Sequence, residues 1–222
     1  RGLGDVYKRQ GNTINVYGSD PGFSVASNGG THTAWEDVAL IREIPGAVIC
    51  DPADDVQMEW IIKEFLKMEG IHYVRSNRKA VRNVYKKGSS FKIGQGNILK
   101  EGKDILIIAA GQLVSEALDC AEELEKEGYS VEVIDMFTIK PLDEKLLIKE
   151  AKGKSKIVTI ENHSIYGGLG SAVSEVIAEN GISVPVKRIG VKEKFGQVGT
   201  AEFLQEEFGL TAKQIKETIC QF

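Results

Sequence analysis

Residues 105–134, which read ILIIAAGQLVSEALDCAEELEKEGYSVEVI, carry the clearest secondary-structure pattern in the chain. This stretch opens with the apolar run Ile105–Ala110, which has the length of a strand. Apolar residues then recur at helical spacing as far as Gly128, and Val131–Ile134, three of whose four residues are apolar, is a second strand-length segment. A strand, a helix of this length and another strand predict a parallel βαβ unit, because parallel strands need a long crossover connection.

The same alternation continues on both sides of this unit, and it predicts an α/β protein with a mainly parallel sheet covered on both faces. A hairpin is predicted over Phe91–Leu99. The other predicted strands are Ile14–Gly18, Ala47–Cys50, Ile71–Val74, Ile157–Ile160 and Val184–Val191, and the other predicted helices contain Trp35–Ile41, Val56–Met68, Leu142–Ala151, Ser171–Glu179, Ala201–Phe208 and Thr211–Cys220.

Length and polarity divide the chain into two domains. Residues 12–76 hold three strands, too few for a doubly wound sheet, so this first domain is expected to lack its N-terminal part. Residues 77–90 are polar and basic and are interpreted as a linker, and residues 91–222 form a complete second domain. Residues 1–11 show no clear periodicity and are interpreted as a non-native or artefactual lead.

Composition limits the functional classes. The 222 residues carry 28 Lys and Arg against 32 Asp and Glu, so no basic surface for nucleic acid is expected. No apolar run reaches the length that spans a bilayer, so no membrane association is expected. The three cysteines are widely spaced and form no metal or disulfide motif, which favours a reducing, cytoplasmic location.

Two places could carry chemistry. The loop Val25–His32 contains Gly29-Gly30, which permits close approach of a ligand, and it ends on His32, whose imidazole could exchange protons near neutral pH. The alternative is a surface turn in which Thr31 caps a helix. Arg75 follows an apolar strand, where α/β sheets bind ligands, and it could grip a phosphate or simply be a solvated arginine.

A third place is the Gly-rich turn in residues 161–170, ENHSIYGGLG. Such a turn before a helix could hold an anion, but it lacks the GxGxxG and P-loop spacings, and a tight structural turn is favoured. Glu161 and His163 have no third partner that would make a metal site.

Several motifs in order resemble the transketolase family. Residues 28–42, NGGTHTAWEDVALIR, followed by Asp51-Pro52-Ala53-Asp54, resemble its pyrimidine-binding domain. Residues 133–143, VIDMFTIKPLD, then Glu161-Asn162-His163, the glycines at 167–170, Arg188-Ile189-Gly190-Val191 and Phe195-Gly196-Gln197 resemble its C-terminal domain. The resemblance extends from Asn12 to the C-terminus.

This resemblance implies a transferase that moves a two-carbon ketol unit between sugar phosphates with thiamine diphosphate and Mg²⁺. It further implies the C-terminal half of a split enzyme, with an N-terminal transketolase subunit as partner in a homo- or hetero-oligomer, a dimer or tetramer. His32 matches the family's catalytic histidine and Arg75 its strand-end phosphate-binding arginine. Asn28 and Asp20 occupy substrate-binding positions but replace an aspartate and a histidine, so an unusual or non-phosphorylated sugar is an open alternative.

The resemblance places no cofactor-binding or metal-binding residue in this chain. The activating glutamate belongs to a segment upstream of Asn12, and the diphosphate and metal belong to another domain, so the chain alone is expected to be catalytically incomplete. The open alternatives are a 1-deoxyxylulose-5-phosphate synthase, a 2-oxo acid dehydrogenase β subunit and a non-catalytic assembly or regulatory module.

Overall fold

Two sheets and the helices that cover them make up the structure, a computed structural model that describes residues 11–77 and 79–222. The expectation for residues 1–11 lies outside these ranges except for Gly11. The strands are β1 Ile14–Ser19, β2 Val48–Cys50, β3 Ile71–Ser76, β4 Asn97–Lys100, β5 Ile105–Ala109, β6 Val131–Asp135, β7 Thr138–Lys140, β8 Lys156–Ser164 and β9 Val186–Val191. The helices are a 3₁₀ helix over Gly22–Asn28, α1 Asp37–Arg42, α2 Asp55–Phe65, α3 Leu113–Lys126, α4 Glu144–Glu150, α5 Leu169–Glu179, α6 Ala201–Glu207 and α7 Ala212–Gln221.

The larger sheet has the strand order β4-β6-β5-β8-β9. Ile105 of β5 pairs with Val131 of β6, and Ile107 pairs with Val158 of β8, both in parallel register. These strands are buried on both faces, which explains why β5 reads as a continuous apolar run. The prediction of a mainly parallel α/β sheet is therefore confirmed.

The hairpin predicted over Phe91–Leu99 is wrong. Only β4 forms there, and it pairs antiparallel with β6 through Ile98 and Ile134. Phe91 instead packs edge-on against Trp60 and Phe137, with ring centroids 5.7 and 5.8 Å apart. Aromatic packing of Phe91 thus replaces the first strand of the predicted hairpin.

The smaller sheet has the order β1-β3-β2-β7, and its fourth strand comes from the C-terminal half of the chain. Strands β1, β3 and β2 are parallel, with Ile14 opposite Ile71. Strand β7, which the sequence pattern did not predict, pairs antiparallel with β2 and sets Lys140 opposite Ile49. Residues 138–140 therefore tie the second predicted domain into the sheet of the first.

The core also joins the two sheets. Val38, Ile49 and Tyr73 from the first part of the chain pack in one apolar cluster with Leu106 and Ile108 of β5. Burial of this shared surface favours one fixed arrangement of the two sheets. The same ranges of the chain contain no helix long and apolar enough to span a membrane.

The segment predicted as a linker makes specific contacts. The backbone N–H groups of Val84 and Tyr85 donate to Asp54 Oδ2 at 2.8 and 2.7 Å, and the Tyr85 hydroxyl donates to Asp135 Oδ2 at 2.6 Å. Asp54 Oδ1 also accepts from Gln57 N and so caps the start of α2. The segment is thus fastened to both halves of the chain.

Candidate functional site

The loop that follows β1 carries three of the four predicted site residues. Asp20 is buried at its start with a φ of +52°, while Asn28 and His32 are exposed near its tip. His32 Nδ1 lies 2.9 Å from Thr31 Oγ1, and the His32 N–H donates to Gly29 O at 3.0 Å. The loop therefore presents an imidazole and an amide to the outside of the molecule.

Asp20 lines a cavity of about 220 Å³ at the carboxyl ends of β1 and β3. This is the end of a parallel sheet at which α/β proteins bind ligands. The polar groups around the cavity come from both halves of the chain, and they include Ser24, Asn77, Lys79, Gln112 and Glu116.

Arg75 lies in the interior, with only 1% of its surface exposed. Its Nη1 donates to Asp51 Oδ2 at 2.7 Å, its Nε donates to Asp37 Oδ2 at 2.9 Å, and its Nη2 donates to Asn162 O at 2.9 Å. The alternative of a solvated arginine is therefore wrong. Its assignment as a ligand of the substrate phosphate stays a prediction, and all three guanidinium nitrogens are committed to protein oxygens.

The two carboxylates beside Arg75 differ in their electrostatics. Burial works against ionisation of Asp37, but Arg75 and the Tyr73 hydroxyl outweigh it and hold the pKa of Asp37 below its usual value. At Asp51 burial prevails over Arg75 and raises the pKa. Asp37 is thus the more firmly ionised partner of the guanidinium.

The Gly-rich turn is held by the protein's own carboxylate. Glu161 accepts from Leu169 N at 2.7 Å and from Gly170 N at 2.9 Å, at the N-terminus of α5. A Cβ on Gly168 would lie 2.0 Å from Glu161 Oε2, so this turn leaves no room for a side chain. The Glu161 carboxyl group occupies the place that the sequence suggested for a ligand, and the structural alternative is correct.

His163 lies behind this turn as a buried, neutral side chain. Burial and the nearby Arg75 lower its pKa to about 4. Its Nδ1 donates to Ser164 O at 2.6 Å, and its Nε2 lies 3.8 Å from Asp37 Oδ1. Across residues 11–77 and 79–222, no group of three His, Cys, Asp or Glu side chains could hold a metal ion.

The structure therefore separates the predicted site residues into an exposed tip with Asn28 and His32, a cavity wall with Asp20, and an interior network around Arg75. Sequence reasoning gave no role to Asp37, Asp51 or Asn162, which build that network. Asp37 and Asp51 stand in the sequence only as members of the family motifs, and no local signal marks a carboxylate that receives a buried guanidinium.

Known proteins match this chain in two ways: a family model matches its C-terminal part, and individual relatives match nearly all of it. Residues 94–215 match the family described as transketolase, C-terminal domain. The chain is 41% identical over 205 residues to the 6-deoxy-6-sulfo-D-fructose transketolase subunit SqwH of Clostridium sp. (strain MSTE9), covering 92% of this chain and 63% of that protein. It is 38% identical over 210 residues to a putative transketolase C-terminal section of Methanocaldococcus jannaschii, covering 94% of this chain and 66% of the relative.

Among solved structures, one described as "Split gene transketolase, inactive beta4 tetramer" superposes with a TM-score of 0.86 at 34% identity, covering 99% of this chain and 71% of that one. The chain thus spans just under two thirds of the two curated relatives described above. The matches to these C-terminal subunits and sections include the β1 loop region as well as the second sheet, and the chain belongs to the transketolase family through its C-terminal domain.

Proposed function

We propose that the chain is the C-terminal subunit of a split transketolase that transfers a two-carbon ketol unit between sugars or sugar phosphates. The observation that carries the proposal is the exposed His32 at the tip of a loop whose base is buried. An exposed imidazole on a fixed loop can hydrogen-bond substrate hydroxyls and transfer protons to and from them. Relatives described as transketolase subunits or sections share this part of the chain.

The proposed cofactor is thiamine diphosphate with Mg²⁺, shared with an N-terminal transketolase subunit. When bound, the cofactor supplies the electron sink for the two-carbon carbanion. The described residues fit only part of its environment: His32 and Asn28 face outward, but no carboxylate group able to hold the metal accompanies them in the ranges that the structure describes. The partner subunit would therefore contribute the diphosphate and metal site, and the chain would work in a hetero-oligomer, in the cytoplasm.

The substrate-binding residues proposed are Asn28 at the tip and Asp20 in the cavity, whereas the guanidinium of Arg75, the third residue predicted from the sequence, is bound to Asp37, Asp51 and Asn162. A carboxylate at Asp20 disfavours a phosphate at that place and favours a hydroxyl group, which it can accept from. Two relatives are named for different sugars, 6-deoxy-6-sulfo-D-fructose and apulose 4-phosphate, which supports testing sugars with and without a phosphate. The assay below identifies the donor and acceptor sugars.

A second candidate is a non-catalytic assembly module, which is favoured by the description of the similar structure as an inactive beta4 tetramer. A third, within the same cofactor class, is a 1-deoxyxylulose-5-phosphate synthase, since that enzyme of Heliobacterium modesticaldum is 34% identical over 203 residues. The two enzyme candidates differ in whether pyruvate is a donor.

The test is to produce the chain from its complete gene together with its N-terminal subunit, add thiamine diphosphate and Mg²⁺, and assay ketose donors and pyruvate against aldose acceptors. Turnover with ketoses is expected. His32→Ala should lower kcat/KM at least about 100-fold with an unchanged melting temperature, because His32 is an exposed residue of a loop. An assembled complex without turnover would leave the assembly module as the function.

A further inference from the structure

The loop that carries Asn28 and His32 is held in place by the C-terminal half of the chain. The central contact is the side-chain amide of Asn162, a residue 3% exposed at the end of β8. Its Nδ2 donates to Pro21 O at 3.1 Å, and its Oδ1 accepts from Phe23 N at 3.1 Å. Both halves of one amide thus bind the main chain on either side of Gly22.

Gly22 is required at the centre of this contact for two reasons. Its φ is +61°, a conformation that L-residues adopt rarely. A Cβ on Gly22 would also lie 2.0 Å from Asn162 Oδ1. The backbone of residues 21–23 and the Asn162 amide therefore fit each other only while position 22 has no side chain.

Further contacts from the C-terminal half hold the rest of the loop. Gln112 Nε2 donates to Ser24 Oγ at 2.7 Å, and Ser164 N donates to Trp35 O at 2.9 Å. At the tip, a Cβ on Gly30 would lie 2.3 Å from Gly196 O, which shows that these two backbones touch. The loop is supported at both ends and at its tip, and His32 projects from it.

Asn162 itself is held by the buried ionic network. Its backbone oxygen accepts from Arg75 Nη2, and the same guanidinium is bound to Asp37 and Asp51. Arg75 therefore holds the backbone of Asn162, while the side-chain amide of Asn162 binds the loop. An arrangement of this kind limits the positional freedom of the loop that it supports.

We propose that Asn162 is a positioning residue for the reaction at His32: its amide fixes the backbone of residues 21–23 and thereby the placement of the His32 loop. The proposal rests on the proposed function, in which His32 acts on the substrate. Asn162 contacts the loop backbone, so its effect on the reaction is exerted through His32. We call the contact of the Asn162 amide with Pro21 O and Phe23 N the loop clamp. A displacement of a reacting group by about 1 Å can lower a rate about 100-fold, so loss of the loop clamp should lower turnover.

The first test compares Asn162→Ala and Asn162→Asp with a matched control, Asn180→Ala, in the complex with the N-terminal subunit. Asn180 also donates its Nδ2 to a backbone oxygen, that of Val176 at 2.9 Å, but at the far end of α5. Two quantities are measured: hydrogen exchange of the amides in residues 20–35, and kcat and KM for the ketose donor.

Both Asn162 variants are expected to raise exchange in residues 20–35 about tenfold or more and to lower kcat by about 10- to 100-fold, while exchange in the strands of the larger sheet stays the same. Asn162→Asp keeps the acceptor for Phe23 N but sets a second oxygen against Pro21 O, so its effects should be at least as large as those of Asn162→Ala. Asn180→Ala should change neither quantity.

If hydrogen exchange in residues 20–35 stayed unchanged in both Asn162 variants, the loop clamp would be refuted, whatever the turnover. Faster exchange with an unchanged kcat would overturn its role in the reaction. Absence of turnover in the wild-type complex would instead refute the proposed function, and the exchange data would still decide whether the clamp exists.

A double-mutant cycle tests the contact itself. Gly22→Ala adds both a strained φ and a clash with Asn162, whereas Gly22→Ala with Asn162→Ala keeps the strain and removes the clash. The double variant should therefore be no worse than Gly22→Ala alone in loop exchange and kcat, which is a non-additive result. Losses that simply multiply would contradict a direct contact between these two residues.

Discussion

Arg75 Nη1 lies 2.7 Å from Asp51 Oδ2, and both side chains are nearly closed to solvent, with 1% and 9% of their surfaces exposed. The same guanidinium reaches Asp37 at the start of α1 and the backbone of Asn162 at the end of β8. One arginine thus joins β3, the residue after β2, the first turn of α1 and the larger sheet. Because this buried charge has partners in both sheets, it helps to fix the position of one sheet relative to the other.

Arg75→Met should destabilise the protein by about 3–5 kcal/mol, because it leaves two buried carboxylates without their counter-charge. Urea denaturation followed by circular dichroism measures the change. Lys126→Met is the control, since it removes only the exposed pair with Glu123 and should leave the midpoint where it is. If Arg75→Met kept full stability and raised only the KM for phosphorylated sugars, Arg75 would be a phosphate ligand and the structural role would be wrong.

Asp135 predicts a specific dependence of stability on pH. Burial raises the pKa of this carboxyl from 3.8 to about 7, although the Tyr85 hydroxyl and the Gln57 amide partly oppose the shift. The folded state then binds more protons than the unfolded state between these values, so the stability contributed by the protonated form is lost as the pH rises through about 7.

Asp135→Asn removes this titration and retains an oxygen for the two donors, Gln57 Nε2 and Tyr85 Oη, which both bind Oδ2 in the wild type. Relative to wild type, the variant should gain stability from about pH 4 to 7, by at most about 1.4 kcal/mol per pH unit, and should level off above that. Asp135→Ala loses both hydrogen bonds and should show the same slope from a lower start. Parallel curves for wild type and Asp135→Asn would refute the raised pKa.

The βαβ alternation was readable from the sequence because the strands of the larger sheet are buried on both faces and the connecting helices are amphipathic. Strand β7 was not readable: it has three residues, and its partner β2 lies about 90 residues earlier in the chain. The burial of Arg75 was not readable either, because the basic residues that follow it at positions 78 and 79 resemble a solvated segment. Its partners Asp37 and Asp51 come together only in the tertiary structure.

The candidate site shows the same limit. His32, Asn28 and Asp20 could be found from their loop and its family motif, and the structure places them on one segment. Asn162 stood inside a recognised motif, yet nothing local showed that its amide faces a loop 140 residues away. A hydrogen bond between residues so far apart in the sequence can be identified only from the tertiary structure.

The structure has a second buried ion pair, between Lys154 and Glu132. Its contribution to the free energy of unfolding can be tested independently of Arg75. The atoms Lys154 Nζ and Glu132 Oε2 lie 2.6 Å apart, with 6% and 4% of the side-chain surfaces exposed. Lys154→Met should destabilise the protein by about 3–5 kcal/mol, because Glu132 is left buried without its counter-charge.

Adding Glu132→Leu to Lys154→Met should restore most of this loss, since replacing both charges by apolar side chains removes the desolvation penalty as well as the attraction. Chemical denaturation of the two single variants and the double variant measures the coupling. A double variant as unstable as the sum of the two single ones would show that the pair is not the source of the effect.

Asp20→Asn tests which end group the cavity accepts. The aspartate lies in the wall of the cavity at the ends of β1 and β3, and its carboxylate opposes an anionic group there. Removing that charge without changing the size of the side chain should raise kcat/KM for a phosphorylated aldose several-fold relative to the same aldose without phosphate. The difference should shrink at high salt, because screening weakens the repulsion that the substitution removes.

The measurement compares two competing acceptors, with and without phosphate, in the assembled enzyme at low and high ionic strength. The control is Asp55→Asn, which neutralises an exposed carboxylate at the start of α2. An unchanged preference in Asp20→Asn would mean that the sugar's end group does not reach this cavity, and Asp20 would then hold the loop rather than the substrate.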